Sequence, residues 1–446
     1  MLAITIIISL IICVIFIRNK PKSTKNSIAF FHPYCNAGGG GERVLWTAIY
    51  GIQQSQPSAR IFIYTGDSES KETLLSNVKN KMSIELNKNT IEFIRLRCRS
   101  LVDDKSWPYF TLLGQAIGSI LLILEAMYRC NGSAVFIDTM GYAFTYPIVR
   151  LINWNTRIIA YTHYPTISTD MVSRVEHRYE NVTNSQAIAS SKLLSRGKLF
   201  YYKALIRAYT SCLKVCDVNM ANSSWTANHL RKLIKRDVKI VYPPCDTVAL
   251  REFPLGGRQK TILCVAQFRP EKAHATQIEA LKELQESNSV HKNAKLILLG
   301  SARNQDDLKR VETLKALAKS LGVESNVQFI VNASFDDLLY NLSTASIGIN
   351  TMIDEHFGIN VVEYMAAGLI PLAHASAGPL LDIIVDYNGE RTGYHGRDVK
   401  DFAQRIDEIF SLDSNKDLEM RQRARNSVVE RLSDKKFNED FLQVLP

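Results

Sequence analysis

No Asp-x-Asp motif and no Cys-x-x-Cys pair occurs in these 446 residues. The first absence removes a common carboxylate arrangement for holding a metal against a diphosphate, so no bridging metal is expected. The second, with eight cysteines scattered at positions 13, 35, 98, 130, 212, 216, 245 and 264, excludes a zinc module and argues for reduced thiols. Cys212 and Cys216 could share a helix face, but their spacing reads as a reduced core or surface pair. The four glycines Gly38 to Gly41 are not followed by Gly-Lys-Ser/Thr and do not fit Gly-x-Gly-x-x-Gly. That loop is neither a Walker A loop nor a dinucleotide fingerprint. No zinc-finger or aromatic RNP segment accompanies the net charge of +10, so nucleic acid is not an expected partner.

What is present points to membranes and anionic substrates. Met1 to Ile17 carries no charged side chain, and Arg18, Lys20, Lys22 and Lys25 follow at once. Such a run is near the lower length limit for a bilayer span, and it lacks the basic start and small-residue cleavage site of a cleaved signal. It reads as an uncleaved anchor (residues 1–17) with a basic linker (18–26), which leaves the remainder cytosolic by the positive-inside rule. On the cytosolic side the five sequons at Asn131, Asn181, Asn222, Asn332 and Asn341 stay unmodified and serve as turn and cap residues. Lys192 to Lys214 has six basic residues, no acidic one, and Phe200, Tyr201, Tyr202 and Tyr209 between them. That mixture suits a bilayer interface or an anionic acceptor.

The body of the chain alternates short apolar runs with helical patterns twice over, and 46% hydrophobic residues supply the cores. The first half (27–242) reads as a strand at 27–31, the glycine loop, a helix at 42–54, strands at 60–64, 91–96, 134–138 and 157–161, and intervening helices. Phe110 to Met127 is apolar enough to be a second span, but Gly114, Gly118 and the surrounding rhythm favour a helix packed on the sheet or lying shallowly in the bilayer. Pro243-Pro244 to Gly256-Gly257 interrupts regular structure and marks a hinge (243–257). A second α/β half (258–416) follows, then a charged helical segment (417–446) that could cross back to the first half.

Three places carry chemistry. Gly40 and Gly41 allow close backbone approach to a ligand and open a helix. His163 lies just past the strand at 157–161, beyond a carboxyl end, where open α/β sheets bind ligands, although by position alone a histidine there is more often a satisfied loop residue than a catalytic one. The stretch Asp354-Glu355-His356-Phe357-Gly358-Ile359-Asn360 reads as a loop entering a helix near Phe357, with Glu363 on that helix and Gly368 capping it. Its first amides suit a phosphate, and Glu355 and Glu363 suit hydroxyls. Phosphate with polyol describes a nucleotide sugar.

Glu355 and Glu363, followed by Ala366-Ala367-Gly368, resemble the E-x7-E motif of the retaining family 4 glycosyltransferases. Phe31 to Trp46, Tyr161-Thr162-His163-Tyr164-Pro165, Val241 to Cys245 and Gln267-Phe268-Arg269-Pro270-Glu271-Lys272 extend the likeness to the mannosyltransferases that build dolichol-linked oligosaccharides. The resemblance implies a GT-B fold: α/β, two Rossmann-like domains facing across a cleft, here with an N-terminal transmembrane helix. It implies a GDP-mannose donor, a dolichol-pyrophosphate-linked acceptor, membrane lipids and other mannosyltransferases as partners, no metal cofactor, and residence in the endoplasmic reticulum membrane. By position, His163 and Glu355 would be the catalytic pair. Gly40, Gly41, Arg269, Lys272, Phe357, Gly358, Ile359, Asn360 and Glu363 would bind the donor. The family's usual arginine slot holds Gln267, which leaves Arg269 as its nearest substitute, and His356 replaces a small residue beside the sugar site. The rivals are a family 4 enzyme with another lipid-linked acceptor, or a non-catalytic scaffold of the same fold.

Overall fold

A computed structural model describes residues 12–20, 26–165, 192–287 and 289–446, with side chains from 197 onward in the third span. The chain divides into two compact units. One comprises the residues up to Asn222 with Thr226–Val241 and Asn438–Pro446; the other comprises Ser223–Trp225 and Tyr242–Phe437. Most of the expected anchor, residues 1–11, lies outside the described residues. Residues 12–18 are helical, and Ile17 is fully buried in the first unit's core.

The first unit is built on strands β1 (Ser27–Phe31), β2 (Arg60–Thr65), β3 (Ile91–Arg95), β4 (Val135–Asp138), β5 (Arg157–Thr162), β6 (Val218–Ala221) and β7 (Lys239–Ile240). They pair in parallel in the order β3-β2-β1-β4-β5-β6-β7. Continuous apolar runs such as Ser27-Ile28-Ala29-Phe30-Phe31, buried at every position, are what a sheet covered on both faces demands. Helices α1 (Gly40–Ser55), α2 (Lys71–Met82), α3 (Thr111–Arg129), α4 (Tyr146–Ile152) and α5 (Lys192–Leu213) cover it, with α6 (Ser224–Ile234) following β6. The strand order reverses between β1 and β4, where Phe31 stands beside Asp138. Helix α1 starts two residues earlier than its apolar pattern suggests, because the Glu42 carboxylate accepts the Gly39 amide (2.6 Å) and closes the first turn.

Helix α3 is the one helix among the described residues long and apolar enough to cross a membrane, yet half of it is buried. Leu122, Ile123, Ala126 and Met127 sit in the core, while Leu113, Ile117, Leu121 and Tyr128 face outward. Gly118 is required by close approach: a Cβ there would lie 1.9 Å from the Leu101 carbonyl oxygen. The end of the 12–18 helix joins this element, with Phe16 stacked on Tyr128 and the Asn131 side-chain amide donating to the Ile17 carbonyl (2.9 Å).

The second unit repeats the plan with β8 (Gln259–Val265), β9 (Lys295–Gly300), β10 (Val327–Val331), β11 (Ala345–Asn350), β12 (Ile370–His374) and β13 (Tyr394–Gly396), ordered β10-β9-β8-β11-β12-β13 and all parallel. Its reversal falls between β8 and β11. The helices are α7 (His274–Glu286), α8 (Gln305–Ser320), α9 (Phe335–Thr344), α10 (Ile359–Ala367), α11 (Val399–Phe410) and α12 (Ser414–Arg431), and α13 (Asp434–Leu442) starts in this unit and ends among the residues of the first. Two local expectations change. The 243–257 stretch is not wholly irregular, because Asp246 caps a short helical turn at Thr247–Leu250. Helix α10 starts at Ile359 rather than near Phe357, because Gly358 at its N-cap takes φ +106, a left-handed value open to glycine.

Candidate functional site

Each unit gathers its polar groups at the reversal of its own sheet, where two loops leave neighbouring strands in opposite directions and open a crevice. In the second unit these loops follow β8 and β11. The first, Ala266 to Ala273, carries Arg269 and Lys272; the second, Thr351 to Gly358, carries Glu355. The Lys272 ammonium and a Glu355 carboxylate oxygen are 2.5 Å apart. Lys272 also reaches the Met352 sulfur at 3.2 Å.

The surrounding residues fix this pair. The Asn350 side-chain amide donates to Glu355 (3.3 Å) and to the Asn360 side-chain oxygen (3.1 Å), and Asn360 donates onward to the Val265 carbonyl (3.1 Å). The Thr351 hydroxyl lies 3.1 Å from both the Lys272 and Ala273 carbonyls and receives the Gln277 amide at 2.9 Å. From the segment after β12, the Ser376 hydroxyl accepts the Asp354 amide (2.8 Å), and the Gly378 amide donates to the Glu355 carbonyl (2.9 Å). Ala273, Asp354 and Ala377 all have positive φ, at 49°, 56° and 46°. Three non-glycine residues in that region around one ion pair represent local strain held by the packing.

Several of the expected side chains have partners within the protein. Phe357 is buried and stacked on Tyr242 (5.9 Å), so only its backbone can face a ligand. The Asn360 side chain ties α10 to β8. His356 stacks on Trp225 at 5.1 Å. Arg269 is 3.8 Å from Glu271. Glu363 is a full turn beyond Ile359 on α10 and is partly exposed.

In the first unit the loops leave β1 and β4. His32, fully buried, has Nδ1 2.6 Å from the Thr139 hydroxyl and Nε2 3.5 Å from Glu42. Burial alone would raise the Glu42 pKa, but the nearby His32 ring and the hydrogen bond it accepts from the Gly39 amide hold it below the usual carboxylate value. His163 Nε2 is 3.1 Å from the Thr139 carbonyl oxygen, and its ring packs edge-on to Tyr161 (5.0 Å). A carbonyl only accepts, so Nε2 carries the proton and Nδ1 presents a lone pair. Desolvation pulls the His163 pKa to about 4, so the ring is neutral at pH 7. A Cβ on Gly41 would be 3.6 Å from His163 Nε2, which puts the end of the glycine loop against this ring; Gly40 has open space.

The sequence reading named Lys272, Glu355, His163 and the glycine loop as site residues and did not name Asn350, Thr351, Ser376, His32, Glu42 and Thr139, which the structure brings beside them. Apart from Glu42, in the first turn of α1, their available signal was position at or just past strand ends, which gains meaning only when the strand order is known.

Two parallel-sheet Rossmann-like domains are the architecture of the GT-B glycosyltransferases. Solved structures agree on the fold. Anabaena Alr3699/HepE in complex with UDP and glucose matches with TM-score 0.62 at 16% identity over 94% of this chain and 98% of that one. Sucrose-phosphate synthase from Thermosynechococcus elongatus matches with TM-score 0.66 at 15% identity, over 94% and 98%. Residues 25–234 match the family model described as ALG11 mannosyltransferase N-terminus, and residues 249–427 match glycosyl transferases group 1. The relatives named GDP-Man:Man(3)GlcNAc(2)-PP-Dol alpha-1,2-mannosyltransferase are 43% identical in Mus musculus, over 96% of this chain and 89% of the relative. The one in Homo sapiens is 45% identical over 94% and 87%. The chain belongs to this mannosyltransferase family.

Proposed function

We propose that this protein transfers mannose from GDP-mannose, with retention and in α-1,2 linkage, to Man3GlcNAc2 carried on dolichyl pyrophosphate, in two successive additions. The observation that carries the chemistry is the Lys272–Glu355 pair, a cation and a carboxylate side by side at the reversal of the second sheet. Cleaving the sugar–phosphate bond leaves an oxocarbenium-like carbon and a diphosphate gaining negative charge. Lys272 stabilises that charge, aided by Arg269 and the amides of Gly358, Ile359 and Asn360. Glu355 accepts hydrogen bonds from the donor sugar's hydroxyls, and Glu363 from the ribose. Gly40 and Gly41 give the donor a close backbone surface.

The acceptor hydroxyl attacks the face the diphosphate is leaving, and a departing phosphate oxygen takes its proton. His163 Nδ1 accepts a hydrogen bond from a sugar hydroxyl near the anomeric carbon and orients it; a neutral ring does not supply a cation there. Diphosphate stabilisation through Lys272 and amides, in a sequence without Asp-x-Asp, supports a metal-independent reaction. The relatives' names and the apolar outer face of α3 support work at a membrane surface. We assign that surface to the endoplasmic reticulum, with a single N-terminal anchor, cytosolic catalytic domains and other mannosyltransferases as neighbours. Initial rates with GDP-mannose, UDP-glucose and GDP-glucose test the donor assignment. GDP-mannose should be preferred by orders of magnitude, and a UDP-sugar preference would sink it.

A further inference from the structure

We infer that the cavity between α3, α5 and the loop after β4 receives the first isoprene units of the lipid-linked acceptor; this rests on the acceptor class proposed above. The cavity encloses about 200 Å3 within the first unit. Leu112 and Ala116 on α3, Met140 and Phe144 after β4, and Tyr209 on α5 give it apolar walls. Two of the polar side chains in its lining are turned to backbone. The Gln115 amide donates to the Val102 carbonyl (3.0 Å), and the Ser119 hydroxyl to the Ala116 carbonyl (2.7 Å). Such a lining suits a hydrocarbon better than a sugar or a phosphate.

Two independent features select an isoprenoid that is tethered to a reacting sugar. The loop wall begins at Met140, directly after Thr139, whose carbonyl holds His163. That wall is rigid, because Asp138 accepts the Met140 and Gly141 amides and the Tyr146 hydroxyl (2.8, 3.2 and 2.6 Å). On its other side the cavity is bounded by α3, whose outer face is an apolar stripe of Leu113, Ile117 and Leu121. An aromatic group stands at the start of α3: exposed Tyr109 and Phe110, with Phe110 edge-on to Tyr201 of α5 (5.5 Å) and the Tyr201 hydroxyl 3.1 Å from the Leu113 amide. A chain leaving a bilayer along α3 therefore meets an aromatic mouth, then an apolar cavity, then the loop that positions His163. The exposed side of α5 carries Lys203 and Arg207, cationic partners suited to a pyrophosphate.

The test uses the full-length protein in lipid nanodiscs and two synthetic Man3GlcNAc2 pyrophosphates, one dolichyl and one with a short water-soluble alkyl chain. Ala116→Phe fills the cavity. It should raise KM for the dolichyl acceptor about tenfold, the equivalent of losing burial of roughly two methylenes, and leave KM for the short-chain acceptor and for GDP-mannose unchanged. Leu112→Trp, at a partly exposed position, repeats the test if Ala116→Phe does not fold. Equal effects on both acceptors, or none on either, would overturn the assignment. Photocrosslinking needs no turnover. A diazirine on the first isoprene should label peptides from 112–119 or 140–144, and labelling elsewhere, or equal labelling of these peptides by a diazirine phosphatidylcholine, would reject the cavity. Absence of transfer by the unaltered protein to either acceptor would instead reject the acceptor class, with the crosslinking result still deciding what the cavity binds.

Discussion

Replacing Lys272 by Ala removes the ammonium paired with Glu355, and the structure sets the size of two separate consequences. The pair is partly buried, with side-chain exposures of 22% and 13%. Truncation leaves Glu355 with the Asn350 amide at 3.3 Å, so the carboxylate keeps a donor. The Lys272 loop stays anchored through its own carbonyl, 3.1 Å from the Thr351 hydroxyl. The loss of stability should therefore be modest, about 1–2 kcal/mol. The loss of rate should be larger. A preorganised group aimed at developing charge is worth roughly 10²–10³ in kcat, or about 3–4 kcal/mol of barrier. Glu355→Gln keeps the volume and an acceptor for Lys272, and should lower kcat/KM on the order of tenfold to a hundredfold. Because the two side chains touch, the double variant should lose less than the sum of the singles. Steady-state transfer kinetics alongside thermal unfolding separate rate from fold. A folded Lys272→Ala protein with kcat within about threefold of the original would refute the reasoning.

Other perturbations test other parts of the account. His163→Ala should cut kcat by about a hundredfold or more, with GDP affinity measured by calorimetry unchanged; equal losses in both would reassign the ring to donor binding. Gly378→Ala should disturb the Glu355 loop, since a Cβ there would fall 2.3 Å from the Phe357 carbonyl oxygen. A stability loss of about 1–3 kcal/mol with reduced kcat/KM is expected, and a neutral result would show that the loops are not in contact. His274 is buried against Phe268 (5.2 Å), and burial pulls its pKa to about 4. The unfolded chain takes up this proton near pH 6.5 and the folded one only near 4, so the contribution is complete above 6.5 and is lost as pH falls through that window. His274→Phe should flatten the Tm profile between pH 6.5 and 4; an unchanged slope would assign the acid sensitivity elsewhere.

Much of the architecture is legible in the sequence because local patterns determine it. Apolar runs such as Ile28 to Phe31 specify strands buried on both faces, and Gly368, at φ +90, caps α10 as its place after an apolar helical run implies. The pairing of Lys272 with Glu355 across 83 residues, and of His32 with Thr139 across 107, follows instead from which strands become neighbours. Strand order is a long-range property, so Asn350, Thr351 and Ser376 look like ordinary polar residues until β11 lies beside β8 and β12. Phe357 shows the opposite case. It lies in sequence between Glu355 and the first amides of α10, but a left-handed glycine after it delays the helix and its ring lies in the core.

Mass spectrometry of the lipid-linked product, formed by purified protein from GDP-mannose and dolichyl-pyrophosphate-linked Man3GlcNAc2 in excess EDTA, tests the central claim most directly. The account predicts products one and then two hexoses heavier, both removable by an α-1,2-mannosidase. An unchanged acceptor, or transfer that appears only when a divalent metal is restored, would contradict it.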